Sequence, residues 1–176
     1  AQTARDVVDK ANELLRASSS LTEMKMQVIK PDWSREMVMK IWSLEPDYAL
    51  ALITAPARDK GTVTLKRRKE VWNWIPTVQR IIKIPPSMML QPWMGSDFTN
   101  DDLVKESTLV DDYEAVEVEA PADSLRKLVL TPREQTPSIW GRIEILVTAA
   151  DLTPVEQIYY DDQGTAIRRL RFTDPT

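Results

Sequence analysis

The chain has 176 residues, of which 43% are hydrophobic and 28% charged, with a formal net charge of −4. That size fits one domain over residues 1–176 able to bury a core unaided, and the acidic balance argues against nucleic acid as the main partner. With neither histidine nor cysteine, the chain cannot build a His-Cys zinc site, a cysteine nucleophile or a Ser-His-Asp triad.

Residues 2–17 predict an amphipathic helix. Ala4, Val7, Val8, Ala11, Leu14 and Leu15 form its stripe, Arg5, Asp6, Asp9, Lys10 and Glu13 lie opposite, and Ser18-Ser-Ser20 ends it. Period-2 alternation then dominates. Met24, Met26 and Val28 alternate with polar residues, and Met37, Met39 and Ile41 share one face of a strand from Arg35 to Leu44. Tyr48–Thr54 is almost continuously apolar, which predicts burial on both sides. Thr62–Arg67 and Glu70–Ile75 follow, joined by the basic turn Arg67-Arg-Lys69, and Arg80–Ile84 continues the sheet.

Between Pro85-Pro86 and Gly95 the chain turns apolar again, with Met88, Met89, Leu90, Trp93 and Met94. Connecting segments normally face water, so this flap needs a cover, either the protein's own core or a greasy ligand. Behind it Thr99-Asn-Asp-Asp102 reads as a capping box opening a helix. Further strands are expected near Tyr113–Ala120, Leu125–Thr131, Arg142–Val147, Val155–Tyr160 and Ala166–Phe172, with a hairpin turn at Asp161-Asp-Gln-Gly164. The pattern as a whole predicts an α+β protein, an antiparallel sheet with a few helices.

Three blocks carry a family resemblance. Gly95-Ser-Asp-Phe-Thr-Asn-Asp-Asp-Leu103 is similar to the Gly-Ser-Asp-Phe-x-x-x-Asp-Leu signature of the bacterial outer-membrane lipoprotein-sorting family, the LolA-like periplasmic carriers. Pro56-Ala-Arg-Asp-Lys-Gly61 with Thr64-Leu65 resembles that family's Pro-x-x-x-Lys-Gly turn, and Val71-Trp-Asn-Trp-Ile-Pro76 resembles its Trp-x-Tyr/Trp-x-Pro strand. The likeness implies a strongly curved half-open barrel whose concave side is covered by helices. It also implies a periplasmic protein with its secretion signal removed, a lipid or acylated lipoprotein as cargo, an inner-membrane transporter that loads it and an outer-membrane acceptor. Contact with membranes would be peripheral or transient. The family further implies an inward arginine that holds the lid shut, which no motif here assigns. Arg168, Arg169 and Arg171 alternate across the last strand, so its two faces divide them. The chain stops at Asp174-Pro-Thr176, where family members usually run on, which either leaves closure of the sheet open or marks a C-terminally shortened chain.

Seven methionines and six tryptophans are the chemical peculiarity of the chain. Methionine is flexible and polarisable and suits surfaces that accept varied apolar shapes. Met24, Met26, Met37 and Met39 are therefore the candidate cavity residues, joined by Trp72 and Trp74, which share a strand face. Met88, Met89, Leu90, Trp93, Met94 and Phe98 form the candidate lid. The plain alternative is that all of these are core. Each buried methylene contributes about 0.8 kcal/mol, so a long acyl chain would supply on the order of 12 kcal/mol before ordering costs. Arg67, Arg68 and Lys69, with Lys60 and Lys66 nearby, are either a solvated hairpin or a docking patch for an acidic partner or anionic head groups. Asp97, Asp101, Asp102, Asp111 and Asp112 lack EF-hand spacing, and capping accounts for several of them. No cofactor, metal or catalytic residue is expected. The functional expectation is a non-catalytic lipid or lipoprotein carrier; the alternative is an interaction module whose core is filled and whose flap docks a protein.

Overall fold

A computed structural model describes residues 2–15, 19–44, 47–103, 109–134 and 138–173. The expected helix end at Ser18, the body of the helix after Leu103 and the terminal Asp174-Pro-Thr176 lie outside those residues. The chain partitions into two compact units, one made of Ala1–Leu15 with Ser107–Thr176 and the other of Arg16–Glu106. Among the described residues eleven strands divide between them as two antiparallel sheets of five and six.

In the first unit, helix α1 (Ala4–Leu15) starts at a capping box. The Asp6 amide donates to Thr3 Oγ1 at 3.2 Å and the Thr3 amide to Asp6 Oδ2 at 2.8 Å, satisfying two otherwise orphaned donors. Val7, Val8 and Ala11 are buried as the stripe requires, but Leu14 and Leu15, expected to continue it, are exposed where the helix ends. After the short helix α2 (Leu109–Asp112), strands β7 (Tyr113–Val118), β8 (Leu125–Pro132), β9 (Arg142–Thr148), β10 (Pro154–Tyr160) and β11 (Ala166–Arg171) pair in the order β11-β10-β9-β8-β7. Alternation on β8 and β9 sends Leu128, Leu130, Ile143, Ile145 and Val147 to one face, where they form the core with the helix residues. The β10–β11 hairpin closes as expected. Gly164 sits at φ +80°, and Asp161 Oδ1 accepts the amides of Gln163 and Thr165 at 2.9 and 2.8 Å. Gly141 is fixed by crowding, since a Cβ there would lie 2.7 Å from the Asp161 carbonyl oxygen.

The second unit is an uninterrupted meander. Strands β1 (Ser19–Ile29), β2 (Ser34–Leu44), β3 (Tyr48–Ala55), β4 (Val63–Arg67), β5 (Glu70–Ile75) and β6 (Arg80–Lys83) pair in sequence order. Met24 lies opposite Met39 and Met26 opposite Met37, so the expected methionine hairpin forms. β3 departs from expectation. Of its eight residues only Ile53 is buried, because Leu50 and Leu52 point to the sheet's other face.

Surface carboxylates in both units tie the fold to pH. Asp6 is held below its ordinary value by the Thr3 amide, Glu70 by Lys83, Glu117 by the Arg126 fork and Asp151 by the Thr148 and Thr153 donors. A carboxylate depressed in the folded state contributes stability above its unfolded pKa and loses it as pH falls through the folded value. Calorimetric Tm should therefore hold from about pH 7 to about 5 and decline below about 4. A Tm unchanged down to about pH 3 would show that these contacts contribute nothing.

Candidate functional site

The flap follows β6 as three 3-10 turns, Pro86–Met88, Trp93–Gly95 and Asp101–Leu103. It is braced by its own polar groups. The Trp93 amide donates to the Phe98 carbonyl at 2.6 Å, and Ser96 Oγ donates to the Trp93 carbonyl at 2.6 Å while accepting the Phe98 amide at 3.1 Å. Asn100 Nδ2 reaches the Met88 carbonyl at 3.1 Å, and its amide reaches the Gln91 carbonyl at 3.1 Å. Ser96 and Asn100 are buried, so these bonds satisfy polar groups that would otherwise be costly. The predicted capping box forms too, with the Asp102 amide on Thr99 Oγ1 at 3.1 Å and the Thr99 amide on Asp102 Oδ2 at 2.8 Å. Within the described residues it opens a single 3-10 turn.

Beneath the flap lies the methionine face of the six-stranded sheet. Met26, Met37, Met39, Val28, Ile53 and Trp93 form one buried cluster, with Met24, Met94, Phe98 and Leu103 packed on it. Met37 and Met39 have 0% exposure, so flap side chains fill this face and leave no open groove above those two residues. The indole Nε1–H of Trp93 donates to Thr64 Oγ1 at 3.0 Å, and the Thr64 hydroxyl donates to Asn73 Oδ1 at 2.8 Å. A buried tryptophan needs such an acceptor. Met88 and Leu90 are exposed, and Met89 is intermediate.

Two cations at the β1–β2 end of this face hold the flap. Arg35 Nη2 donates to the Met94 carbonyl, and Lys30 Nζ pairs with Asp97 Oδ1 at 2.7 Å. Met94 and Gly95 are both left-handed, at φ +53° and +72°. That conformation is unfavourable for methionine and persists only where neighbours fix it. Arg35 shares its face with Met37 and Met39 by alternation, so the sequence held the signal, but a search for apolar periodicity passes over it.

Trp72 and Trp74 do not join the methionines. Successive registers pair Leu21 with Trp42, Trp42 with Leu50, Leu50 with Leu65, and Leu65 with Trp72. Val63 likewise faces Trp74. The tryptophans therefore lie on the face opposite the flap, where Trp74 is 36% exposed, and expecting them in one cavity with the methionines is corrected. Lys83 Nζ sits 5.2 Å from the Trp72 ring centroid on that face. In the first unit Arg168 stacks on Trp140 and Tyr159, at 4.8 and 5.3 Å, whereas Arg169 and Arg171 turn to Glu156 on the other side of β11. Among the described residues no group of three or more carboxylates is placed to hold a metal ion, and no helix is long and apolar enough to cross a membrane.

Comparison with known proteins adds the family. No curated protein matches the chain. Among solved structures it is similar to a DUF1329 family protein from Desulfovibrio piger, with a TM-score of 0.67 and 20% identity, covering 97% of this chain and 77% of that one. A protein domain from Vibrio parahaemolyticus, named for outer membrane lipoprotein sorting, gives a TM-score of 0.64 at 21% identity over 98% and 79% of the two chains. A LolA superfamily protein from Nitrosomonas europaea gives 0.61 at 20% identity over 99% and 79%. At these identities the likeness is one of fold. A family model described as "Uncharacterized protein" matches residues 45–176. The chain belongs to that family, and its fold is LolA-like.

Proposed function

We propose that the protein is an extracytoplasmic, non-catalytic carrier that holds the acyl chains of a lipid or lipoprotein against the methionine face, with the flap as its lid. One observation carries this reading. The flap buries Trp93, Met94 and Phe98 on the methionines, yet satisfies its buried Ser96 and Asn100 internally, and it is held to the sheet by Arg35, Lys30 and the Trp93 indole on Thr64. A segment braced in this way can lift as a unit while keeping those internal hydrogen bonds. An acyl chain would then replace the lid's apolar side chains, and methionine adapts to the exchange. The LolA-like fold supports an extracytoplasmic location and exchange with a membrane donor and an acceptor. A second reading, an interaction module, is favoured by the complete burial of Met37 and Met39.

The test is a titration with a pyrene-labelled monoacylglycerol, which carries no charge for an arginine to attract. Arg35→Met removes a charged hydrogen bond worth about 1.5–3 kcal/mol in the closed state. If closed and open flaps are in equilibrium, the apparent affinity of the variant should rise by about 10- to 100-fold. Wild type and variant that both ignore the probe, together with a bare mass by native mass spectrometry after gentle purification, would overturn the carrier reading.

A further inference from the structure

We propose that one end of the six-stranded sheet docks on an anionic membrane surface, through the basic β4–β5 tip and the apolar β2–β3 end beside it. The two hairpins lie side by side, because Leu44 pairs with Tyr48 and Tyr48 with Arg67, and the Arg68 amide donates to the Asp47 carbonyl. Trp42, Leu44 and Tyr48 share one sheet face and are 40%, 55% and 37% exposed. Arg67, Arg68 and Lys69 are exposed on the adjoining tip. Arg67, Arg68 and Lys69 line one shallow surface there with Asp47 and Glu70, and Glu70 is paired with Lys83. The chain is acidic as a whole, so this is a local reversal of sign beside exposed aromatics.

The turn itself points the same way. Only Arg68-Lys69 join β4 to β5, and Arg68 takes φ +54°, a position that glycine or asparagine fills at lower cost. The tip thus spends an unfavourable backbone position on a cation. Trp and Tyr favour the membrane–water boundary, where an apolar ring can sit beneath a polar surface, and Arg and Lys bind the phosphates above it. That combination fits a lipid surface better than an acidic protein, which would not require the exposed apolar side chains. The inference stands independently of the carrier reading, since it concerns lipid head groups rather than acyl chains under the flap.

The experiment is co-flotation of the protein with vesicles of phosphatidylcholine containing about a third phosphatidylglycerol, alongside pure phosphatidylcholine vesicles. Wild type should bind the anionic vesicles, bind the neutral ones weakly or not at all, and release as salt shortens the screening length. The variant Arg67→Gln, Arg68→Gly, Lys69→Gln removes three cations while giving the turn the residue it favours, so its Tm should be unchanged or higher. Its partition should fall about fivefold per cation, on the order of 100-fold in all. Trp42→Ala with Leu44→Ser should weaken binding to the anionic vesicles at low salt without changing how steeply it falls as salt rises. The proposal is overturned if wild type ignores anionic vesicles, if it binds neutral ones equally, if the triple variant floats like wild type, or if only an acidic protein is captured.

Discussion

Trp93→Ala should free the flap and leave the six-stranded sheet folded. Truncating a buried tryptophan costs about 3–5 kcal/mol, and here it also removes the indole donor on Thr64. Where that cost falls separates the two readings of this unit. If the flap opens by itself, the loss is confined to the closed state. Peroxide oxidation of Met37 and Met39, buried beneath the flap, should then quicken by about two orders of magnitude, while hydrogen exchange at the Ser96 and Asn100 amides stays slow because their bonds to the Trp93 and Gln91 carbonyls lift with the flap. Strand amides and the urea midpoint would move little, and the neutral acyl probe would bind more tightly. If the flap is ordinary core, the urea midpoint falls by the whole amount and the exchange of sheet and flap rises together. The second outcome would favour the interaction module and end the lid.

The strand plan was legible because polar-apolar alternation survives wherever one face meets a core. Expected and observed strands agree closely, and Glu70–Ile75 agrees at both ends. The capping box at Thr99 and Asp102 was legible for the same reason, being a local exchange of two hydrogen bonds. Face assignment across strands was not. Alternation says that Trp72 and Trp74 share a side, but which side depends on pairing registers accumulated through β3 and β4. In β4 the apolar residues Val63 and Leu65 lie on the face away from the flap, while the flap-side face carries polar Thr64, paired with Asn73 on β5. Those two polar residues are there because the Trp93 indole needs a buried acceptor, a requirement visible only once the flap has folded back. Arg35 escaped notice in the same way: it is a cation in phase with Met37 and Met39, and its partner is a backbone carbonyl 59 positions away.

Met39→Glu should destabilise this unit as strongly as the loss of Trp93 does. Met39 has 0% exposure and sits between Met24 on β1 and Ile53 on β3, inside an apolar cluster. A carboxylate placed there is buried without a partner, so the urea midpoint at about pH 7.5 should show a loss on the order of 3–5 kcal/mol. The sign of the pH dependence follows from linkage. Burial raises the pKa of the introduced carboxyl above its unfolded value of about 4.3, so the unfolded state releases that proton first as pH rises. Stability lost at pH 7.5 should return in part as pH falls towards about 5, a trend the wild-type carboxylates do not share. Trp74→Glu is the matched control, because Trp74 is partly exposed on the opposite face and tolerates a solvated charge. If Trp74→Glu abolishes probe binding and Met39→Leu does not alter it, the acyl site lies on the tryptophan face. Met39→Leu is informative because it nearly conserves volume and should cost less than about 1.5 kcal/mol. Any change in its range of acceptable acyl chains would then report the adaptability of the methionine surface rather than its stability.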